Sequence, residues 1–146
     1  NDIVDKKADE FGIEENLIYA IIRTESKFDE KAESNAGAKG LMQLTPQTFD
    51  WILEKYPSDG VLVDIMDPYD NIHAGCALIR FLIDYYDDLD LALCAYNAGM
   101  GNVSKWVESD EYSNDGKTLH TIPFPETREY VKRVKKNYDI YKKIYS

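Results

Sequence analysis

Cysteine and histidine are scarce in this chain, two of each in 146 residues. Cys76 and Cys94 have no His or Cys partner at metal-ligand spacing, and His73 and His120 stand far apart. No metal site is visible and no cofactor is implied. Both cysteines sit among small and apolar residues in expected helices and read as buried free thiols. A disulfide between packed helices is the alternative, and only geometry decides it. Long apolar runs are missing too. None approaches the roughly 20 residues needed to span a bilayer, so no membrane contact is expected of this domain. The chain lacks a signal peptide and does not begin with Met, so it reads as an excised mature domain without its targeting segment. Alternating apolar and polar residues never persist long enough to mark a strand. Internal repeats, low-complexity linkers and signs of a second domain are also absent, and residues 1–146 read as one domain.

Positive charge is deficient, with 17 Lys and Arg against 27 Asp and Glu, for a net −10. The deficit is uneven: residues 128–146 carry +5 and the rest −15. An acidic body excludes a general nucleic-acid binder, and the basic final helix reads as a solvated face. Tyrosine, by contrast, is plentiful: 11, against 5 Phe and 2 Trp. Its apolar face and polar edge suit carbohydrate grooves. They also suit half-buried helix surfaces, which account for most of the eleven.

The pattern predicts about seven helices joined by loops. The first covers 2–11 and stops at Gly12; the second covers 14–26. Residues 27–45 form a loop rich in small and polar residues. Thr45-Pro46 supplies an N-cap and a first-turn proline for a helix reaching about Tyr56. After a loop over 57–69, Asp70 can cap a helix whose stripe is Ile72, Cys76, Ile79, Ile83 and Tyr86. A helix over 89–98 is capped by Gly99, and a shorter one follows with Val103, Trp106 and Val107. Residues 109–118 are polar and expected to be mobile. Pro125 opens a last helix with the apolar row Tyr130, Val131, Val134, Tyr138, Tyr141 and Tyr145.

One residue breaks its own pattern. In Asn16–Ser26, Leu17, Ile18, Ile21 and Ile22 repeat at helical spacing. The row from Leu17 through Ile21 reaches position 25 one turn later, where it holds Glu. A carboxyl pulled toward apolar surroundings is harder to ionise. A carboxylic acid still protonated near neutral pH can act as a general acid. The competing reading is a solvated acid on a frayed last turn.

Three blocks follow Glu25-Ser26 in order: Gly40-Leu41-Met42-Gln43-Leu44, Ala95-Tyr96-Asn97-Ala98-Gly99, and Ile122 to Val131 with Glu126-Thr127-Arg128-Glu129-Tyr130-Val131 at its end. Together the four blocks resemble the lytic transglycosylase domain of the Slt type, glycoside hydrolase family 23, from about residue 10 to residue 135. The resemblance implies an all-α, lysozyme-like single domain with a substrate groove. It implies a monomeric, extracytoplasmic enzyme of the bacterial cell wall or cell surface, acting on peptidoglycan glycan strands. Such enzymes use one catalytic Glu, which here is Glu25. It protonates the glycosidic oxygen between N-acetylmuramic acid and N-acetylglucosamine, then acts as base toward the sugar's own 6-hydroxyl, giving a 1,6-anhydro end. The 2-acetamido group is thought to assist. A hydrolysing muramidase related to goose-type lysozyme is the alternative. It needs a second placed carboxylate. Asp29, Glu30 and Glu33 are the nearby acids, and each reads as a solvated loop residue. A catalytically retired glycan-binding module is a third reading, which an acid kept on an apolar face argues against.

The resemblance also marks substrate-binding positions. Ser34 matches the family serine nine residues after the catalytic acid; its bland reading is an ordinary loop serine. Gln43 offers an amide to sugar hydroxyls, while Met42 and Leu44 read as core. Thr45 stands where the family often has Met, which shortens one wall of the groove. Tyr96 and Asn97 end their helix and can face the cleft, although Asn97 can instead cap it. Tyr130 matches a tyrosine near the catalytic Glu, with pure packing as the competitor. Ser26 reads as a helix-terminal residue, and Glu126 and Arg128 as local capping or salt-bridge structure.

Overall fold

The computed structural model describes residues 1–60 and 62–145. Among them the chain forms seven helices: α1 (Asp2–Phe11), α2 (Glu15–Ser26), α3 (Pro46–Lys55), α4 (Pro68–Tyr86), α5 (Leu89–Ala98), α6 (Met100–Glu108) and α7 (Pro125–Tyr145). No strand forms among the described residues. Extended pairing is limited to two isolated bridges, from Lys39 to Glu33 and to Leu44.

Local chemistry sets the helix ends. Gly12, at φ 63°, closes α1 in the left-handed region, and its N–H donates to the Ala8 carbonyl. Thr45 accepts from the Thr48 amide ahead of Pro46 and so opens α3. The start of α4 corrects the sequence reading. Asp67, not Asp70, is the N-cap, because Pro68 fits the first helical position and needs no amide partner there. Asp70 is buried in the first turn instead. Its carboxylate accepts from the Ser58 hydroxyl (2.8 Å) and the Asp64 amide (3.0 Å), which ties the preceding loop to the helix.

The core forms around α4, which is buried without a break from Asp70 to Ile79. Helices α1, α3 and α5 pack on it, while α7 lies along α2 and reaches α5. The α2 stripe is fully enclosed: Ile18, Ile21 and Ile22 are at most 1% exposed. Burying such side chains stabilises by about 1.5–3 kcal/mol each. On α7, Tyr130, Val131 and Val134 are buried, but Tyr145 is 68% exposed, so the apolar row outruns the surface that covers it. Cys76 and Cys94 are both buried and free, and burial pushes both thiols up.

The expected mobility of 109–118 meets a knitted turn. Asp115 accepts from the Lys117 and Thr118 amides and the Thr118 hydroxyl, and Ser113 donates to the Thr118 carbonyl. The Thr118 and Lys117 amides and the Thr118 hydroxyl hold Asp115 well below the usual carboxylate range, at about 2.

The loop over 27–45 rests on α4 at Gly75. A Cβ on Gly75 would stand 2.3 Å from the Met42 sulfur and 2.8 Å from the Met42 Cβ. Met42 is fully buried and has nowhere to retreat. Gly75→Ala is therefore expected to cost about 1–3 kcal/mol through overpacking. Thermal unfolding should show Tm lowered by several degrees; an unchanged Tm would mean that the loop yields freely.

Candidate active site

Glu25 stands in the last turn of α2 at the wall of a cleft of about 560 Å³. The cleft runs between the 34–45 loop, α3, the middle of α4 and the end of α5, with Glu126 from α7 on its rim. Apolar side chains Leu44, Leu78 and Leu82 form part of its lining. Burial pushes the Glu25 carboxyl up to about 8. The Tyr130 hydroxyl draws it partly back, and the Glu126 carboxylate raises it further. The anionic form, not the acid, is what this setting penalises.

Tyr130 does not line the cleft. It lies behind Glu25, buried in α7, and its hydroxyl has no hydrogen-bond partner of normal geometry. That leaves an uncommitted buried donor beside the carboxyl. Tyr96 lines the cleft, and its hydroxyl donates to the Met42 carbonyl at 2.8 Å. Burial and the neighbouring Glu25 both make the Tyr96 phenol harder to ionise.

A set of side-chain pins fixes the loop that faces Glu25. Ser26 ends α2 and donates to the Leu41 carbonyl at 2.7 Å, a structural use of its hydroxyl. Asn71, fully buried on α4, accepts from the Met42 amide (2.7 Å) and donates to the carbonyls of Lys39 (2.9 Å) and Ile65 (2.8 Å). Only glycine fits at position 40, since its φ is 81° and a Cβ would fall 2.3 Å from the Asn71 amide. Gln43 itself sits at φ 52°, a left-handed conformation costing an ordinary residue about 1–2 kcal/mol. Its amide donates to the carbonyls of Ala32 (3.0 Å) and Gly40 (2.9 Å), which holds that turn closed.

Of the seven residues singled out from the sequence, Glu25, Ser34, Gln43, Thr45, Tyr96 and Asn97 all line the one cleft. Ser34 accepts from the Ala38 amide, which leaves its own proton available. Gln43 has both amide protons engaged, so its carbonyl oxygen is what remains for a ligand. Thr45 has its hydroxyl shared with Thr48 and contributes wall rather than a free polar group. Asn97 does not cap α5, a task done by the Gly99 amide. Its side-chain oxygen accepts from Thr127 of α7 (2.8 Å), clasping the two helices at the cleft.

Glu126 corrects its reading as mere capping structure: it is exposed on the cleft rim. Arg128 does act locally, donating to the Ile122 carbonyl. Asp29, Glu30 and Glu33 are exposed and line no part of the cleft. Sequence reasoning missed Asn71, Thr127, Trp51 and Met100. Trp51 had a signal: it lies off the α3 stripe of Phe49, Ile52, Leu53 and Tyr56, so the core does not claim it.

A helical domain that holds one protonated carboxylic acid against an open, partly apolar cleft has the makings of a glycan-cleaving enzyme. A family profile for the transglycosylase SLT domain matches residues 2–119. The chain belongs to that family, and its fold is the all-α, lysozyme-like one. It is 31% identical over 138 residues to the soluble lytic murein transglycosylase of Escherichia coli K12, covering 92% of this chain and 21% of that protein. A putative soluble lytic murein transglycosylase of Haemophilus influenzae is 38% identical over 137 residues, with 90% and 23% covered. Among solved structures, lytic transglycosylase Slt of Pseudomonas aeruginosa superposes with a TM-score of 0.82 at 34% identity, over 94% of this chain and 23% of that one. It was solved as an inactive variant in which a glutamate is replaced by glutamine. The chain thus spans about a fifth of the length of the curated relatives it matches.

The buried Tyr130 hydroxyl yields a test of this geometry. Tyr130→Phe keeps the packed ring and removes the one group that lowers the Glu25 pKa. Carboxyl titration by NMR should place Glu25 higher in the variant, while Tm changes little, because the packed ring stays in place. An unmoved Glu25 would make Tyr130 a packing residue only.

Proposed function

We propose that this domain is a peptidoglycan lytic transglycosylase, with the catalytic unit running through α7. Its reaction would cleave the MurNAc-β-1,4-GlcNAc bond and leave 1,6-anhydro-MurNAc ends. The observation that carries this reading is Glu25: one acid, kept protonated near neutral pH by burial, at the wall of a cleft in a chain of the SLT family. Relatives named as lytic murein transglycosylases supply the substrate class.

In this reading Glu25 gives its proton to the glycosidic oxygen as the C1–O bond breaks. The sugar's 6-hydroxyl then bonds to C1, and its proton returns to Glu25, which restores the acid. No water is added. An internal hydroxyl has already lost its translational freedom, an advantage over bulk water. Tyr130 steadies the transient carboxylate with its uncommitted hydroxyl. Tyr96, Asn97, Ser34 and the Gln43 carbonyl oxygen hold sugar hydroxyls and acetamido groups, and Thr45 forms wall. The domain acts as a monomer on glycan strands outside the cytoplasm. No described helix is long and apolar enough to cross a membrane.

The hydrolysing alternative has one specific observation in its favour. Glu126 is a second carboxylate on the cleft, close enough to Glu25 to raise its pKa. It lies in the first turn of α7 and is exposed, so it lacks the fixed setting a base needs.

Mass spectrometry of digested cell walls separates the two. Anhydro ends are expected from the wild type and from Glu126→Gln, while Glu25→Gln loses at least about 100-fold in rate. Reducing ends, with Glu126→Gln as inactive as Glu25→Gln, would establish hydrolysis by two carboxylates instead.

A further inference from the structure

A run of aromatic rings continues outward from the cleft. Trp51 lines the cleft and is 37% exposed. Its ring meets Phe81 edge-on, with centroids 5.2 Å apart at 89°. Phe81 lies nearly parallel to Tyr85, one turn further along α4, at 6.2 Å and 20°. Tyr85 is 61% exposed and meets Tyr86 at 4.9 Å. Tyr85 and Tyr86 border a second cavity, of about 500 Å³. The two cavities adjoin, because the Tyr86 hydroxyl donates to the carbonyl of Met100, a residue of the first cleft.

The core requires neither of the exposed rings. The buried residues of α3 are Phe49 and Ile52, and on α4 burial ends at Leu82. Exposed aromatics in a continuous patch mark a binding surface more often than isolated ones do. Above this patch lies the ammonium of Lys55, 5.4 Å from the Trp51 ring centroid and 5.6 Å from that of Phe81. It takes part in no salt bridge among the described residues, in a chain of net charge −10.

We propose that Trp51, Phe81 and Tyr85 form a distal subsite on which the glycan strand leaving the cleft stacks its sugar rings, with Lys55 meeting the carboxylate of an N-acetylmuramic lactyl group. The inference rests on the reading of the cleft as a peptidoglycan site. A strand that passes Trp51 runs directly onto Phe81 and Tyr85, so the occupant follows from continuity with the cleft. The C–H faces of pyranose rings match the aromatic faces, and sugar hydroxyls remain at the edges in water. Where the stem peptide has been removed, the lactyl carboxylate is the strand's own anion, and Lys55 is the cation placed over the rings.

The test uses binding, so that it does not depend on turnover. In a Glu25→Gln background, dissociation constants would be measured for glycan strands freed of stem peptides and for the MurNAc-GlcNAc disaccharide. Adding Tyr85→Ala is expected to weaken long strands about fivefold and to leave the disaccharide unchanged, while Tyr85→Phe binds like the parent. Lys55→Met is expected to weaken these strands but not chitin oligosaccharides, which lack the lactyl group. Equal loss at every length, or no loss at any, would overturn the subsite. Cleavage by the protein with Glu25 intact is read separately. Absent cleavage with length-dependent binding retained would defeat the transglycosylase reading and leave the subsite standing.

Discussion

The Glu25 carboxyl is hard to ionise because the helix that carries it also carries the core. Ile18, Ile21 and Ile22 bury α2 against its neighbours, and the same face continues into the last turn, where the side chain is an acid rather than Leu or Ile. The carboxyl lines the cleft and is otherwise enclosed by burial. Without its full hydration the anion loses more than the neutral acid does, and the pKa rises to about 8. Tyr130, buried, and Tyr96, half-buried, stand around it, and neither brings a positive charge that would restore the anion. Replacing either tyrosine with a cation would remove the property that makes the site useful.

An acid is of use only if the opposite wall is fixed, and here that wall is a loop without regular structure. Its backbone groups are paired one at a time: Leu41 by Ser26, Met42 by Asn71 and Tyr96, Lys39 by Asn71, Ala32 and Gly40 by Gln43. These pins come from α2, α4, α5 and the loop itself, so the cleft is assembled only when those helices are packed. The left-handed Gln43 and the close contact of Gly40 with Asn71 are local costs that this network offsets.

Much of this was legible in the sequence, for physical reasons that differ residue by residue. Helix periodicity exposed Glu25 because a carboxyl cannot be mistaken for a continuation of Leu17 and Ile21. Cap chemistry placed Gly12 and Thr45-Pro46, since those residue types have few other uses at those positions. The start of α4 was misread because Asp67 and Asp70 are equally good caps in isolation, and Pro68 decides between them. Thr127 and Asn71 were illegible: each is a polar residue in a helix, and only the partner across the fold, Asn97 or the 39–42 backbone, gives it a task. Glu126 reaches the cleft from an element distant in sequence, which no local pattern records, whereas the place of Trp51 off the α3 stripe could have been read.

The most direct test of the central claim is the pH dependence of stability in the wild type against Glu25→Gln. A carboxyl whose folded pKa is raised leaves the folded state at full stability below its unfolded pKa, near 4.5. That stability is lost as pH rises through the folded value near 8, because unfolding then lets the group ionise freely. Gln cannot ionise and has no such loss. Unfolding free energy measured from pH 4 to 9 should therefore show the variant gaining on the wild type between about 4.5 and 8, by a few kcal/mol in total, and levelling off above. A difference that stays flat across that range would mean that Glu25 ionises as an ordinary surface acid, and the account of this site would fail.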